Sequence, residues 1–179
     1  MQRNFARCLE VCLLLATFLS VSGAQQKPDA DPWKPLQFLM GRWIGVGTGS
    51  PGEGKGYFMF SPALDGKVVV RTNHTEYPPK PGEKKGSIHD DLLTIYHDQG
   101  SSGTRAIYFD NEGHVIHYTV TNPVPDSMVV FETDPSDGAA QFKLIYAQLP
   151  GGMLNIEFFV APPGREMKLY LQGTAKRES

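Results

Sequence analysis

Phe38-Leu39-Met40-Gly41-Arg42-Trp43-Ile44-Gly45-Val46-Gly47-Thr48-Gly49 is the stretch on which the fold turns. It holds one of the chain's two tryptophans, and from Trp43 onward a glycine occupies every second position. Successive side chains of a strand point to opposite faces, so Trp43, Gly45, Gly47 and Gly49 share one face and Arg42, Ile44, Val46 and Thr48 the other. Glycine costs a strand about 0.5–1 kcal/mol relative to alanine. Three in alternation suit a sharply coiled first strand that crosses a barrel floor, where bare backbone permits bending and close approach.

Outward from this stretch the chain reads as strands. From Pro35 to the end, runs rich in Val, Ile, Tyr, Phe and Thr alternate with Gly, Pro and Asn clusters, and no run carries helical spacing. Ten strands are expected: 42–48, 56–61, 67–77, 91–97, 104–109, 115–121, 128–133, 141–149, 153–161 and 167–175. Asp65-Gly66, Asp110-Asn111-Glu112-Gly113, Pro150-Gly151-Gly152 and Pro162-Pro163-Gly164 supply hairpin turns, so neighbours pair antiparallel in a meander. An open meander of that length leaves two bare edges, and closure removes them. The fold class is therefore all-β, a single antiparallel up-and-down barrel over residues 35–177. Barrels of eight or more strands can enclose a small ligand. Alternation groups Phe142, Leu144 and Tyr146 on one face, Leu154, Ile156, Phe158 and Val160 on the next, and Met167, Leu169 and Leu171 on the last. The long polar connection Pro78–Ser87 reads as a solvated loop.

The first strand also carries a resemblance. Gly41-Arg42-Trp43, after the short apolar turn Pro35–Met40, resembles the Gly-x-Trp signature of lipocalin and calycin barrels. Its extension through Gly45 and Gly47 is most similar to nitrobindin-type haem barrels and related secreted lipocalin-like domains. The resemblance implies a basic side chain after the last strand that stacks on the indole, a role open to Lys176 or Arg177. It also raises haem, held in that family by a histidine near the C-terminal end. Here the last histidine is His117, so haem is disfavoured, with His117 or His97 as the available substitutes.

The N-terminus reads as a secretory signal over residues 1–24: Arg3 and Arg7, an apolar run from Val11 to Leu19 too short for a span, then Ser22-Gly23-Ala24 before cleavage. Residues 25–34 read as a flexible leader. Cys8 and Cys12 leave with the signal, so the domain holds its fold without disulfides, and the protein is expected to be secreted or periplasmic. Loss of Arg3, Arg7 and Glu10 moves the net charge from −2 to −3. A mildly acidic domain with scattered charge argues against nucleic acid as partner, and no membrane span is expected. Asn73-His74-Thr75 matches the N-glycosylation pattern.

Five histidines remain, His74, His89, His97, His114 and His117, with no spacing that suggests a metal site. His89-Asp90-Asp91 would hold a metal only by accident. No nucleophile stands beside a base, so no catalytic residue is assigned. The favoured function is binding of a small apolar or amphipathic molecule inside the barrel without catalysis. Arg71, His97, His117 and Tyr118 are the polar cavity candidates, and Phe58, Phe60, Phe142 and Phe158 either line or fill the interior. The alternatives are a nitrobindin-like haem barrel acting on nitric oxide or peroxynitrite, as the resemblance implies, and an enzyme using a cavity histidine as acid or base.

Overall fold

The computed structural model describes residues 31–49, 53–100, 103–135 and 138–178, so the segment expected to be a signal and most of the expected leader lie outside the described residues. A short 3₁₀ turn, Lys34–Leu39, leads into ten strands. They are β1 (Gly41–Gly49), β2 (Gly54–Ala63), β3 (Val68–Tyr77), β4 (Ser87–Asp98), β5 (Gly103–Asp110), β6 (Val115–Val124), β7 (Met128–Glu132), β8 (Gln141–Gln148), β9 (Leu154–Ala161) and β10 (Lys168–Arg177). Each pairs antiparallel with the next, and β10 returns to β1, so the sheet closes into a barrel. Among the described residues no helix is long and apolar enough to cross a membrane.

The Gly-x-Trp segment closes the floor. Gly41 has φ +99°, a conformation that a side chain disfavours, and this turns the chain from the 3₁₀ segment into β1. Trp43 is 1% exposed and donates from Nε1 to the Leu39 carbonyl at 2.7 Å. Arg177 is its register partner across β1 and β10, and the guanidinium lies 4.4 Å over the indole. Arg177 also donates to the carbonyls of Met40 and Phe38, which ties the last strand to the floor turn. Lys176 pairs instead with Ile44 and is exposed, so of the two basic candidates Arg177 covers the indole and Lys176 does not.

Above Trp43 the inward face is bare. Gly45 pairs with Gly56, and Gly47 with both Gly54 and Gly173. A Cβ at Gly45 would meet only ordinary contacts, the nearest at 3.8 Å, so close approach is not what Gly45 provides. Its effect is open space next to a large ring. Close approach is real one strand over, where a Cβ at Gly56 would sit 2.8 Å from the Thr75 Cα and nearer still to the His74 carbonyl.

Two expectations change. Trp33, assigned to the leader, is 4% exposed: its indole donates to the Gly66 carbonyl at 2.7 Å and stacks on His97 at 4.3 Å. A bulge between Leu169 and Leu171 shifts the phase of β10, so Leu169 faces outward while Tyr170 and Leu171 border the interior.

Candidate functional site

The interior holds a cavity of about 610 Å³. That size accommodates a small organic molecule. Its two walls differ in chemistry. On β8, β9 and β10 the lining is Phe142, Leu144, Ile156, Phe158, Val160 and Leu171, the apolar faces expected from alternation on β8 and β9. Phe142 and Phe158 lie parallel, 2° apart with centroids 6.1 Å apart, and Tyr170 meets Phe158 edge-on.

The opposite wall, from β3, β4 and β5, carries a connected polar network. Arg71, 6% exposed on β3, donates to Asp91 on β4 and to the Tyr146 hydroxyl on β8. Asp91 Oδ2 lies 3.4 Å from His89 Nε2, and the same ring nitrogen lies 3.0 Å from the Tyr108 hydroxyl. His89 Nδ1 faces Glu112 at 3.2 Å. Tyr108 donates to Asp110 Oδ2 at 3.2 Å, and that carboxylate also holds His114 Nδ1 at 2.8 Å. The network therefore runs from the barrel's middle to its mouth.

Burial and pairing oppose each other along this wall. Burial is the largest single influence on Arg71 and works to lower its pKa, but the charges and hydrogen bonds of Asp91 and Tyr146 together outweigh it and hold the guanidinium firmly protonated. Burial would raise Asp91, yet Arg71 and His89 keep its carboxyl below the ordinary value. The hydrogen bond to Asp91 raises His89 above 6.5 against a smaller desolvation effect. Tyr108 and Tyr118 are pushed up by burial, so both remain protonated donors.

The sign for His89 follows from its raised folded-state value. Its stabilisation is fully present below pH 6.5, the unfolded reference, and is lost as pH rises through the raised folded value. Chemical denaturation should therefore show His89→Gln falling further short of wild type at about pH 5.5 than at about pH 9. An equal deficit at both would mean that the imidazolium makes no favourable pairing.

Of the four polar cavity candidates, Arg71 and Tyr118 line the cavity and the two histidines do not. His117 is exposed on the outer face with Val115, opposite Ile116 and Tyr118, because neighbouring parities on β6 cannot both face inward. His97 sits at the floor end of β4 under Trp33. The histidines at the cavity are His89 and His114. His89 was missed because β4 begins at Ser87, four residues before the strand expected from Asp91 onward. His89 and Asp91 then share the inward parity with Leu93 and Ile95, while Asp90 points out to His74 at 2.6 Å. The glycosylation-like tripeptide lies inside β3, where Asn73 lines the cavity and donates to Thr75 Oγ1 at 3.3 Å. The Pro78–Ser87 connection sits at the mouth and places Lys80 on the cavity rim. Among the described residues no cluster of three or more histidine, cysteine or acidic groups is arranged to hold a metal ion.

No protein-family profile matches the chain, and no curated protein matches it. Solved structures do. Rv2717c from M. tuberculosis superposes with a TM-score of 0.59 at 15% identity, covering 82% of this chain and 97% of that one. A de novo designed fluorescence-activating β-barrel gives 0.41 at 11% identity, covering 81% and 98%. The S-type phycobiliprotein lyase CPES from Guillardia theta gives 0.47 at 10% identity, covering 79% and 89%. The similarity to Rv2717c establishes a shared fold, a closed antiparallel barrel.

Proposed function

We propose that this barrel binds a small amphipathic molecule in its interior and performs no catalysis on it. The observation that carries the reading is the division of one 610 Å³ cavity into an apolar wall and a hydrogen-bonded polar wall. Such a cavity buries a ligand's apolar body and fixes its polar end. Trp43 below and the bare glycine face above it favour open volume over a packed core. Titration of the mature protein with the neutral dye N-phenyl-naphthylamine tests this: saturable one-to-one binding with a blue-shifted emission is expected. A linear, unsaturable response would refute it.

The other two functions fit the cavity less well. Both ring nitrogens of His89 are engaged, by Asp91 and Tyr108 on one side and Glu112 on the other, which leaves none to coordinate iron or to take a proton from a substrate. His114 has a free Nε2, but its side chain is 59% exposed at the rim. His97 and His117, the substitutes considered for haem, lie away from the cavity. The proposal therefore includes no haem and no acid–base role.

We also propose that the protein is exported and that its partner is a small molecule instead of nucleic acid. The support is the sequence of residues 1–24 and the mildly acidic balance of the remainder. Intact mass of protein from its native compartment should correspond to a chain beginning at Gln25. Retention of residues 1–24 would contradict export.

A further inference from the structure

We infer that the ligand is a flat, neutral aromatic molecule with a carbonyl-type acceptor oxygen, and that the Tyr118 hydroxyl is the group that binds this oxygen. The inference rests on the small-molecule-binding reading above and adds the chemistry of the ligand. Tyr118 is 1% exposed and lines the cavity, and its ring packs edge-on against Phe131. Its hydroxyl makes no hydrogen bond to a described residue, whereas those of Tyr108 and Tyr146 are both engaged. The hydroxyl borders the cavity, and an acceptor brought by a ligand gives it a partner that no described residue supplies.

The surrounding charge selects a neutral acceptor. Tyr118 lies close enough to Arg71, Asp91 and Tyr146 for their charges to act on its phenol, and the largest influence on it is burial, which keeps the proton on. Arg71 is already paired with Asp91, so a carboxylate placed here would be desolvated beside an existing carboxylate and without an unpaired cation. An ammonium would face Arg71. A ketone, quinone or aromatic aldehyde oxygen is uncharged and can accept from the Tyr118 hydroxyl.

The rest of the cavity selects a flat ring. The parallel rings of Phe142 and Phe158 and the edge of Tyr170 offer face and edge contacts that an aromatic body matches and an alkyl chain does not. The same wall gives either body apolar area. Geometry therefore favours the aromatic.

The test uses three probes: the neutral naphthyl ketone prodan, the same dimethylaminonaphthalene without its propionyl group, and the corresponding naphthoate. Wild type should bind the ketone most tightly and the naphthoate most weakly. Tyr118→Phe, which keeps the ring and removes only the hydroxyl, should weaken the ketone about five- to tenfold and shift its emission to the blue, while the affinity for the parent dimethylaminonaphthalene stays constant. A thermal melt within a few degrees of wild type, with binding of that parent amine intact, shows that the variant is folded. If ketone and parent amine bind equally and Tyr118→Phe changes neither, the carbonyl inference falls while the binding reading stands. If none of the three binds, both fall.

Discussion

Trp43→Ala should destabilise the barrel by about 3–5 kcal/mol, the range for deleting a buried tryptophan ring. The ring is enclosed, its Nε1 satisfies the Leu39 carbonyl, and it supports the Arg177 guanidinium that locks β10 to the floor turn. For a domain of this size each kcal/mol shifts the melting temperature by about 2–4 °C, so a fall of order 10 °C is expected. Arg177→Ala should cost less, because a cation over an indole contributes about 0.5–2 kcal/mol. Calorimetry that ranked Arg177→Ala above Trp43→Ala would place the floor's stability in the cap instead of the ring.

Arg71→Met should cost about 3–5 kcal/mol at pH 7, since it leaves the buried Asp91 carboxylate without its guanidinium partner. The pH dependence distinguishes this from simple loss of packing. In wild type the Asp91 carboxyl is depressed, so its contribution is present above the unfolded value of 3.8 and is lost as pH falls through the lower folded value. Without Arg71 only burial and the His89 contact remain, and burial raises that carboxyl, which then protonates at higher pH and ceases to be a buried charge. The deficit of Arg71→Met should therefore shrink between pH 7 and about pH 4 in urea titrations. A deficit constant across that window would mean that the methionine's shape, and not the stranded carboxylate, sets the cost.

Most of the barrel was legible because its strands obey a period of two and its turns carry Gly, Pro and Asn. The closure and the apolar faces of β8 and β9 follow from that pattern, while the place of Trp43 follows from the resemblance to the Gly-x-Trp signature. The polar wall was not legible for the same reason. Inward His89 and Asp91 interrupt the hydrophobic alternation at the start of β4, so the apolar pattern starts only after them. Parity along β6 did separate His117 from Tyr118, and only the second can face the cavity. Trp33, isolated between Pro32 and Lys34, gave no periodic signal, and its burial depends on Gly66 and His97, each over thirty residues away in sequence. The bulge at Tyr170 is likewise a tertiary event: an extra residue in β10 against Phe158 and Phe159 turns Leu169 outward and brings Tyr170 beside Leu171 to the border of the interior.

An interior binding site is tested most directly by titrating N-phenyl-naphthylamine into wild type and Gly45→Val. The β-carbon at residue 45 meets nothing closer than 3.8 Å, so the backbone there accepts a side chain, and because Gly45 lines the cavity the added methyls take up space at its wall. The variant should melt at or above the wild-type temperature, since a strand glycine is replaced by a β-branched residue. With dye bound, those methyls overpack the site at a cost of about 1–3 kcal/mol, and each 1.4 kcal/mol is about tenfold in affinity. Saturable binding in wild type and weakening by about tenfold or more in Gly45→Val is therefore the expected result. Equal affinity in the two proteins would put the dye on the outer surface, where Met59, Leu92, Phe109 and Val115 are exposed, and would contradict an interior site.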